Sequence, residues 1–461
     1  MAAPTHNDAH GKVDLSIENL RSQYQRSTLS PAEVVNVVYS RVSACHDKAV
    51  WITLIPQDDA LDRANQLSTQ YPELASRPPL YGIPFSVKDS IDVAGMPTTL
   101  ACPSYAYTAT TTAFVVQRIL DAGGILIGKT NLDQFATGLN GSRSPYGIPR
   151  CVHDSDYVSG VGTDTAGSTR VPASLNGMVG LKPTLGTIST VGLVPACKTA
   201  DCVTVIAKTI DTTLAALNEM QAYDEDDVYA REVPPTPVPW NKSSPALRYG
   251  LPPQDLVDSS LSPQYLDLFN RFLTALRSTE MQLLSNMHYE PFAEANAMLY
   301  GSSIVSQRIV AFKDYLNTHG YDEINPVVAQ IFADSAGFDA VRAYEDIFSL
   351  AKHKRNAHKQ FRGGPGGKDE NERIDVLIVP STTTHPTVDE MLADPLSLNK
   401  RLGTFTHFVN LLDLCAVSVP VQATWASTNK KQMPFGVTLI GMPGRDRDLL
   451  ELGRRLMEMG M

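Results

Sequence analysis

One serine of the chain lies where a catalytic nucleophile would be expected. Ser168 ends the small-residue stretch 162–168, GTDTAGS. Glycine and alanine allow close backbone approach, and a cluster of their N–H groups can stabilise negative charge that develops on a substrate oxygen. A turn of small residues with no chemical role fits the same pattern. Asp164 and Arg170 have opposite charges, and we expect them to pair and shape the loop.

A second candidate is Lys88, which ends the apolar run GIPFSVK. Burial of an ammonium group lowers its pKa, so a lysine at the end of a buried strand can serve as a general base near neutral pH. The alternative is a surface lysine that is paired with Asp89 or Asp92. The sequence therefore offers one candidate base and one candidate nucleophile.

Composition and spacing exclude several other classes. The 461 residues are 43% hydrophobic with a net charge of −10, which allows a large core and argues against binding to nucleic acid or acidic membranes. Six cysteines are too few for a disulfide framework, and Cys and His are not spaced as metal ligands. No apolar run approaches the roughly 20 residues that span a bilayer, and the N-terminus lacks the apolar core of a signal peptide. We expect a cytoplasmic protein without metal or cofactor.

Residues 123–130, GGILIGKT, match the pattern of a phosphate-binding loop. That loop requires a strand before its first glycine and exposed N–H groups between its glycines. Here a predicted helix precedes Gly123, and Ile-Leu-Ile between the glycines is typical of a buried strand. The context is inverted, so nucleotide binding is not predicted.

The elements that must position these residues alternate between strand and helix. Ser30 and Pro31 predict the start of a helix after a tail and first helix in residues 1–29, and Asn131 is expected to cap another helix. Alternation from Leu80 onward favours an α/β architecture with a mostly parallel sheet. Residues 254–360 are predicted to form a helical cap, and later strands are expected to complete the sheet begun before residue 200.

Several motifs, in the same order along the chain, resemble those of a known family. GIPFSVKDSIDVAGMPTT, GKTNLDQFATG, GTDTAGSTRVPASLNGMVGLKPTLG and DCVTVIAKTIDT resemble the amidase signature family of serine hydrolases, over about residues 30 to 455. The resemblance implies an amidase-signature α/β fold, with a central mixed β-sheet covered by helices on both faces, in an amidase domain of residues 30–461. It also implies a homodimer.

Narrower motifs are most similar to the allophanate hydrolase group of this family. They are NGSRSPYGIPRCV, STVGLVPACKTADCV and RLGTFTHFVNLLDLCAVSVPV. This resemblance implies hydrolysis of a small amide, most similar to allophanate, in urea degradation, with a pathway link to urea carboxylase. The smaller C-terminal domain of that group is not expected in this chain.

The family's mechanism implies roles for particular residues. Lys88 corresponds to the lysine and Ser168 to the nucleophile, with backbone N–H groups of Thr165, Ala166 and Gly167 as the oxyanion hole. The serine attacks an amide carbonyl, ammonia leaves, and water hydrolyses the acyl-enzyme. A second serine relays the proton between lysine and nucleophile.

Two further residues, Tyr300 and Arg308, match the tyrosine and arginine that hold the substrate carboxylate in the allophanate hydrolase group. Eight residues apart on one helix, the two side chains would lie about 80° apart around its axis, so both can face one pocket. A packed tyrosine and a surface arginine are the plain alternative.

The chain departs from the family where the relay serine should be. Ser159 and Gly160 run directly into Val161 and Gly162, so the family's Gly/Ser-rich loop and a following helix are missing. Neither Ser159 nor Ser144 is assigned as the relay. The gap has two explanations, a segment wrongly removed from a gene model or a degenerate homologue that binds or regulates. A general amidase for another small acyl amide is a further alternative.

Overall fold

The computed structural model describes residues 13–159, 163–233, 240, 246–362 and 373–459. Its helices are α1 Ile17–Gln25, α2 Pro31–Ala44, α3 Gln57–Gln70, α4 Phe114–Asp121, α5 Arg170–Leu175, α6 Ile210–Met220, α7 Gln254–Ser260, α8 Pro263–Leu276, α9 Glu290–Gly301, α10 Gln307–Ala311, α11 Lys313–His319, α12 Pro326–Ser335, α13 Ala340–Arg362, α14 Val388–Ala393, α15 Ser397–Leu402, α16 Phe408–Leu411 and α17 Asp446–Glu458. Its strands are β1 Trp51–Leu54, β2 Pro84–Lys88, β3 Pro97–Thr98, β4 Tyr107–Thr108, β5 Ile125–Thr130, β6 Val179–Lys182, β7 Val205–Ala207, β8 Arg248–Gly250, β9 Gln282–Leu283, β10 Val376–Pro380, β11 Cys415–Ala426 and β12 Gln432–Gly441.

The larger sheet is mixed and has the strand order β7-β6-β11-β12-β10-β8-β9. Each neighbouring pair from β6 through β11 and β12 to β10 is antiparallel. The remaining pairs, β10 with β8 and β8 with β9, are parallel. Strands from before residue 200 and from after residue 370 therefore share one sheet. That part of the expectation is confirmed.

Helices cover both faces of this sheet, as the register of its two longest strands shows. Val419 lies opposite Val437, and Val419 meets α17 at Gly453. Gly436, one residue along, lies against Ser174 of α5. Because successive residues of a strand point to opposite faces, α17 and α5 pack on opposite sides.

The early strands do not join this sheet. β2 pairs parallel with β5, and β5 pairs antiparallel with β1, in a separate three-stranded sheet of order β1-β5-β2. One continuous sheet was expected. In the described residues, β2 and β7 are instead the edge strands of two different sheets.

Local signals in the sequence have mixed outcomes. Ser30 accepts a hydrogen bond from the Glu33 N–H while the Glu33 side chain binds back to Ser30, so the predicted start of α2 is confirmed as a capping box. The helix predicted after Asn131 is wrong. A short 3₁₀ turn forms at Gln134–Ala136, with Phe135 at φ 53°, and the Asn131 Oδ1 that would cap a helix instead accepts from the Leu132 N–H and the Ser144 hydroxyl.

The predicted helical cap corresponds to α7 through α13, interrupted by the short β9 and a 3₁₀ turn. Phe312 and Phe332 of this region stack on each other and contact Phe135 from the first half of the chain. Burial of such rings is worth about 1.5–3 kcal/mol each, so the cap is firmly packed onto the loop that follows β5. Residues 123–130 are the turn that follows α4 and the buried β5, as expected for a sequence that only imitates a phosphate-binding loop.

Candidate active site

Lys88 ends β2 with its side chain buried, at 6% exposure. Desolvation lowers its pKa from 10.5 to about 8, although the negative charges of Asp133, Asp201 and Asp164 oppose that shift. The surface ion pair considered as an alternative does not form, because Asp89 pairs with Lys129, 3.5 Å away. Lys88 is therefore a buried amine whose pKa suits proton transfer near neutral pH.

Thr163 is the polar partner of Lys88 and was not among the site residues predicted from the sequence. The Lys88 Nζ donates to Thr163 Oγ1 over 3.1 Å, and both side chains are buried. The threonine lies in the nucleophile loop, five positions before Ser168, so this contact brings the strand and the loop together. Gly162, the first residue assigned to that loop, lies outside the described residues.

Ser168 is buried, and its hydroxyl donates to the carbonyl oxygen of Gly138 over 2.8 Å. Gly138 follows β5 in the loop that holds Asp133. A Cβ on Gly138 would overlap with the Asp133 carboxylate, so only glycine fits there. The glycine of the FATG sequence was a usable signal for this close approach, but it does not reveal the serine partner.

An internal ion pair shapes the nucleophile loop. Arg170 Nε lies 2.8 Å from Asp164 Oδ2, with both side chains fully buried, as expected from their charges. Burial alone would raise the pKa of Asp164, but the charge and hydrogen bonds of Arg170 reverse this and hold that pKa below 3.8. Arg170 also donates to the Thr406 carbonyl and to Asn410 Oδ1, each at 3.1 Å. The loop is thus tied to the segment that precedes β11.

The three residues assigned to the oxyanion hole differ in what their N–H groups do. The Gly167 N–H donates to Asp164 Oδ1 over 2.7 Å, so it is already used inside the loop. Gly167 has φ 118° and lies against Thr406, which excludes a larger residue. In the described part of the chain, the N–H groups of Thr165 and Ala166 donate to no backbone carbonyl. Those two are the better candidates for holding an oxyanion.

Tyr300 and Arg308 are not on one helix, so the angular argument for them is wrong. α9 ends at Gly301, and a 3₁₀ turn at Ser303–Ser306 separates it from α10. The two side chains are nevertheless neighbours, with the Arg308 guanidinium carbon 5.9 Å from the centre of the Tyr300 ring. The turn between α9 and α10 therefore brings the two side chains together, as a continuous helix was expected to do.

Arg308 is a buried arginine rather than a surface one, with 1% exposure. Its Nε donates to Thr137 Oγ1 over 3.1 Å. Its Nη1 is buried and has no hydrogen-bond partner among the described residues. A buried guanidinium nitrogen without an acceptor is unfavourable on its own, and an anionic ligand would remove that penalty.

Thr137 and Gly138 connect the two groups. Thr137 accepts from Arg308, and the next residue, Gly138, accepts from Ser168. The candidate nucleophile and the candidate carboxylate ligand therefore lie on the two sides of one dipeptide. His407 packs edge-to-face on Tyr300, and desolvation lowers the pKa of His407 to about 3, so it is neutral.

Neither spare serine contacts the candidate pair. Ser159 Oγ accepts from Asn176 Nδ2 over 3.0 Å, and Ser144 Oγ donates to Asn131 Oδ1 over 2.6 Å. Residues 160–162, where the relay segment is missing, lie outside the described residues. Over the described ranges, no group of His, Cys, Asp or Glu could hold a metal ion, and no helix is long and apolar enough to cross a membrane.

With this geometry established, comparison with known proteins identifies the family. The family model described as Amidase matches residues 33–450. The chain belongs to the amidase family. Urea amidolyase of Saccharomyces cerevisiae is 37% identical over 426 residues, which cover 88% of this chain and 22% of that protein. Urea amidolyase of Lachancea kluyveri is 36% identical and is covered to 23%. The chain thus spans less than a quarter of these curated relatives.

A solved structure extends the likeness to the fold. Allophanate hydrolase of Kluyveromyces lactis aligns with a TM-score of 0.84 and 34% identity, over 96% of this chain and 72% of that chain. The predicted membership of the amidase family is thus confirmed by sequence, and the predicted fold is confirmed by structure. The similar structures include an allophanate hydrolase.

Proposed function

We propose that the chain is a serine amidohydrolase of a small, carboxylated amide, and that allophanate is its substrate. The observation that carries this proposal is Arg308 Nη1, a buried donor without a partner, next to the dipeptide that holds Ser168. An arginine binds a carboxylate through two parallel hydrogen bonds, which fixes the distance from carboxylate to reacting carbonyl. A general amidase for uncharged acyl amides would have no use for this donor.

The proposed reaction is acyl transfer to a serine followed by hydrolysis of the acyl-enzyme. Ser168 Oγ attacks the amide carbonyl, and the N–H groups of Thr165 and Ala166 hold the oxygen that becomes negative. The C–N bond breaks with protonation of the nitrogen, and ammonia leaves. Water then attacks the acyl-serine and releases the acid. Lys88 is the base for these transfers, with its pKa of about 8.

One observation favours a second candidate function. Lys88 contacts Thr163, and Ser168 donates to Gly138, so no direct hydrogen bond joins lysine to serine within the described residues. A chain with this arrangement would bind the carboxylated ligand through Arg308 and turn it over slowly. The second candidate is therefore a catalytically impaired homologue with a binding role.

Ammonia release from allophanate, measured beside calorimetric binding of a small monocarboxylic amide, separates these functions. We expect release that depends on Ser168 and binding that depends on Arg308. Binding without release would support the impaired homologue. If neither occurs, the proposal of a carboxylated substrate is wrong.

The proposal has four further parts, which rest on the sequence and on its family resemblance. The chain would act in the cytoplasm, as a homodimer, in the breakdown of urea. Its pathway link would be to urea carboxylase, the enzyme that supplies the carboxylated substrate. Gel filtration with light scattering measures the dimer directly.

A further inference from the structure

A cavity of about 210 Å³ lies beside Tyr300, and its lining also includes Arg143 and Lys400. We call it the Arg143 cavity. We propose that it is the entrance for the carboxylated substrate, in which Arg143 binds the substrate carboxylate before Arg308 does. The transfer to Arg308 rests on the proposed function, whereas the binding of a carboxylate at Arg143 does not.

The cavity extends from the surface toward the candidate active site. Among its lining residues, Lys400 is exposed and Arg143 is buried, with 2% exposure. Tyr300 belongs to the same lining, and the centre of its ring lies 5.9 Å from the Arg308 guanidinium carbon. One tyrosine therefore contacts both the cavity and the candidate carboxylate ligand. A molecule that enters beside Lys400 reaches Arg143 and Tyr300 first.

Arg143 is a buried cation whose hydrogen bonds leave its charge uncompensated. Its Nη1 donates to the Thr137 carbonyl and its Nη2 donates to the Pro395 carbonyl, each over 2.6 Å. Both acceptors are neutral. Its Nε is buried and has no hydrogen-bond partner among the described residues. A bound carboxylate would supply the missing acceptor and the missing negative charge.

Thr137 connects this arginine to Arg308. The Thr137 carbonyl accepts from Arg143, and the Thr137 Oγ1 accepts from Arg308 Nε over 3.1 Å. Each arginine has one buried nitrogen without a partner in the described residues, Nε of Arg143 and Nη1 of Arg308. A carboxylate that leaves Arg143 thus meets a second arginine on the same residue. The next residue, Gly138, accepts from Ser168, so the path leads toward the candidate nucleophile.

The charge and size of the cavity favour a small anion. Arg143 and Lys400 are cationic and Asp334 is anionic, so the lining is positive overall although the whole chain has a net charge of −10. Asp334 already accepts from Gln330 Nε2 over 2.7 Å. Apolar side chains such as Phe338 complete the lining and strengthen the attraction of a cation for a carboxylate. The volume is below the roughly 300–1,000 Å³ of pockets for drug-sized ligands, which suits a small carboxylated amide.

Carboxylate binding at Arg143 can be tested in the Arg308→Met chain, from which the other arginine is removed. The probe is malonamate, the anion of malonic acid monoamide, and uncharged malonamide is its control. NMR of ¹⁵N-labelled arginine side chains follows the Arg143 Nε–H signal, which is assigned by its loss in Arg143→Lys. We expect malonamate to move this signal saturably and malonamide to leave it in place. An unmoved signal would overturn the proposal and leave Arg143 as a structural clamp of two carbonyls.

Three exposed residues supply variants with different expected signs. Lys400→Glu reverses a charge of the lining and should weaken malonamate binding at Arg143 by about fivefold. Asp334→Asn removes a negative charge and should tighten this binding by about twofold. Lys352→Glu changes the net charge as Lys400→Glu does, but Lys352 lies on α13 outside the lining and should have little effect. Equal weakening by Lys400→Glu and Lys352→Glu would overturn the proposal.

Transfer to Arg308 can be tested with Arg308 intact. The line shape of the Arg308 Nε–H signal during the malonamate titration gives the association and dissociation rate constants. Lys400→Glu should lower the association rate constant by about fivefold at low salt and leave the dissociation rate constant unchanged. Equal association rate constants in the two chains would exclude the cavity as the entrance. Malonamate that shifts Arg143 but not Arg308 would contradict the proposed function and the transfer, and would support the carboxylate site at Arg143.

Discussion

The two sides of the Thr137–Gly138 dipeptide differ in completeness. On the recognition side, formed by Tyr300 and Arg308, the two side chains pack on each other, and the buried Arg308 Nη1 has no acceptor among the described residues. On the proton-transfer side, formed by Lys88, Thr163 and Ser168, Lys88 donates to Thr163 while Ser168 donates to Gly138, so no hydrogen bond within the described residues joins the candidate base to the candidate nucleophile. The difference teaches that the candidate substrate site and the candidate proton route depend on separate parts of the chain. The cap helices carry the first, and β2 and the nucleophile loop carry the second.

The largest expected effect is on covalent labelling of the proton-transfer side. A fluorophosphonate probe should label Ser168, and Ser168→Ala should lose that label completely because the nucleophile is gone. Ser159→Ala should retain the label, since Ser159 is bound to Asn176 instead. Mass spectrometry of the intact protein measures the adduct, and label on the Ser168→Ala chain would show that the nucleophile is misassigned.

Lys88→Met should raise the free energy of unfolding at pH 7. The folded pKa of about 8 lies below the ordinary 10.5, so the unfolded chain binds the proton more tightly. Burying the ammonium therefore costs stability below pH 8, on the order of 3 kcal/mol, and this cost fades as pH rises from 8 to 10.5. Urea unfolding at pH 7 and at pH 10 measures the gain, which should shrink at the higher pH.

Lys182→Met is the matched control for this variant. Lys182 is also buried, but it donates to the carbonyls of Pro183 and Leu414 at 2.6 and 2.8 Å. Its loss leaves those acceptors unpaired and should destabilise the fold. If Lys88→Met lowers stability as Lys182→Met does, Lys88 is a structural ion and not a poised base.

On the recognition side, Arg308→Met should weaken binding of a carboxylated amide by about 10- to 150-fold, which corresponds to about 1.5–3 kcal/mol for a charged hydrogen bond. Binding of an uncharged amide such as malonamide should change little. Calorimetry measures both, and Arg342→Met, on the exposed face of α13, is the control. Equal losses for both ligands would remove Arg308 from the carboxylate site.

The smallest effect concerns the contact between Lys88 and Thr163. An acceptor stabilises the ammonium, so Thr163→Val should lower the pKa of Lys88 further below about 8, by less than about one unit. Thr163→Ser keeps the acceptor and should leave that pKa in place. NMR titration of ¹⁵N-lysine, with Lys88→Met for assignment, measures the shift. An unchanged pKa in Thr163→Val would show that the threonine is not the partner in solution.

Patterns of local residues predicted much of this molecule. The start of α2 at Ser30 and Pro31, the buried β5, the pairing of Asp164 with Arg170 and the burial of Lys88 each depend on short-range sequence or on charge, and each is confirmed. These features need little knowledge of distant contacts. Periodicity and capping rules therefore sufficed.

The predictions that failed concern features that are determined by contacts between residues far apart in the chain. Asn131 looked like a helix cap, but its Oδ1 accepts from the Ser144 hydroxyl, and its amide nitrogen donates to Ala49, 82 positions away in the chain. Gly138 and Thr163 were not predicted, because each acts through a single hydrogen bond, to Ser168 and to Lys88 respectively, from a distant part of the chain. The separation of the two sheets was also not foreseen.

The most direct test of the account restores the relay itself. A family-like Gly/Ser segment with its serine would be inserted between Gly160 and Gly162, beside an otherwise identical segment with alanine at that position. General acid–base transfer contributes about 10²–10⁴-fold, so ammonia release from allophanate should rise by that factor in the serine chain over both the alanine chain and the unaltered one. If the unaltered chain already releases ammonia as fast as the restored one, Lys88 and Ser168 exchange protons by another route, and the proton-transfer side is complete as it stands.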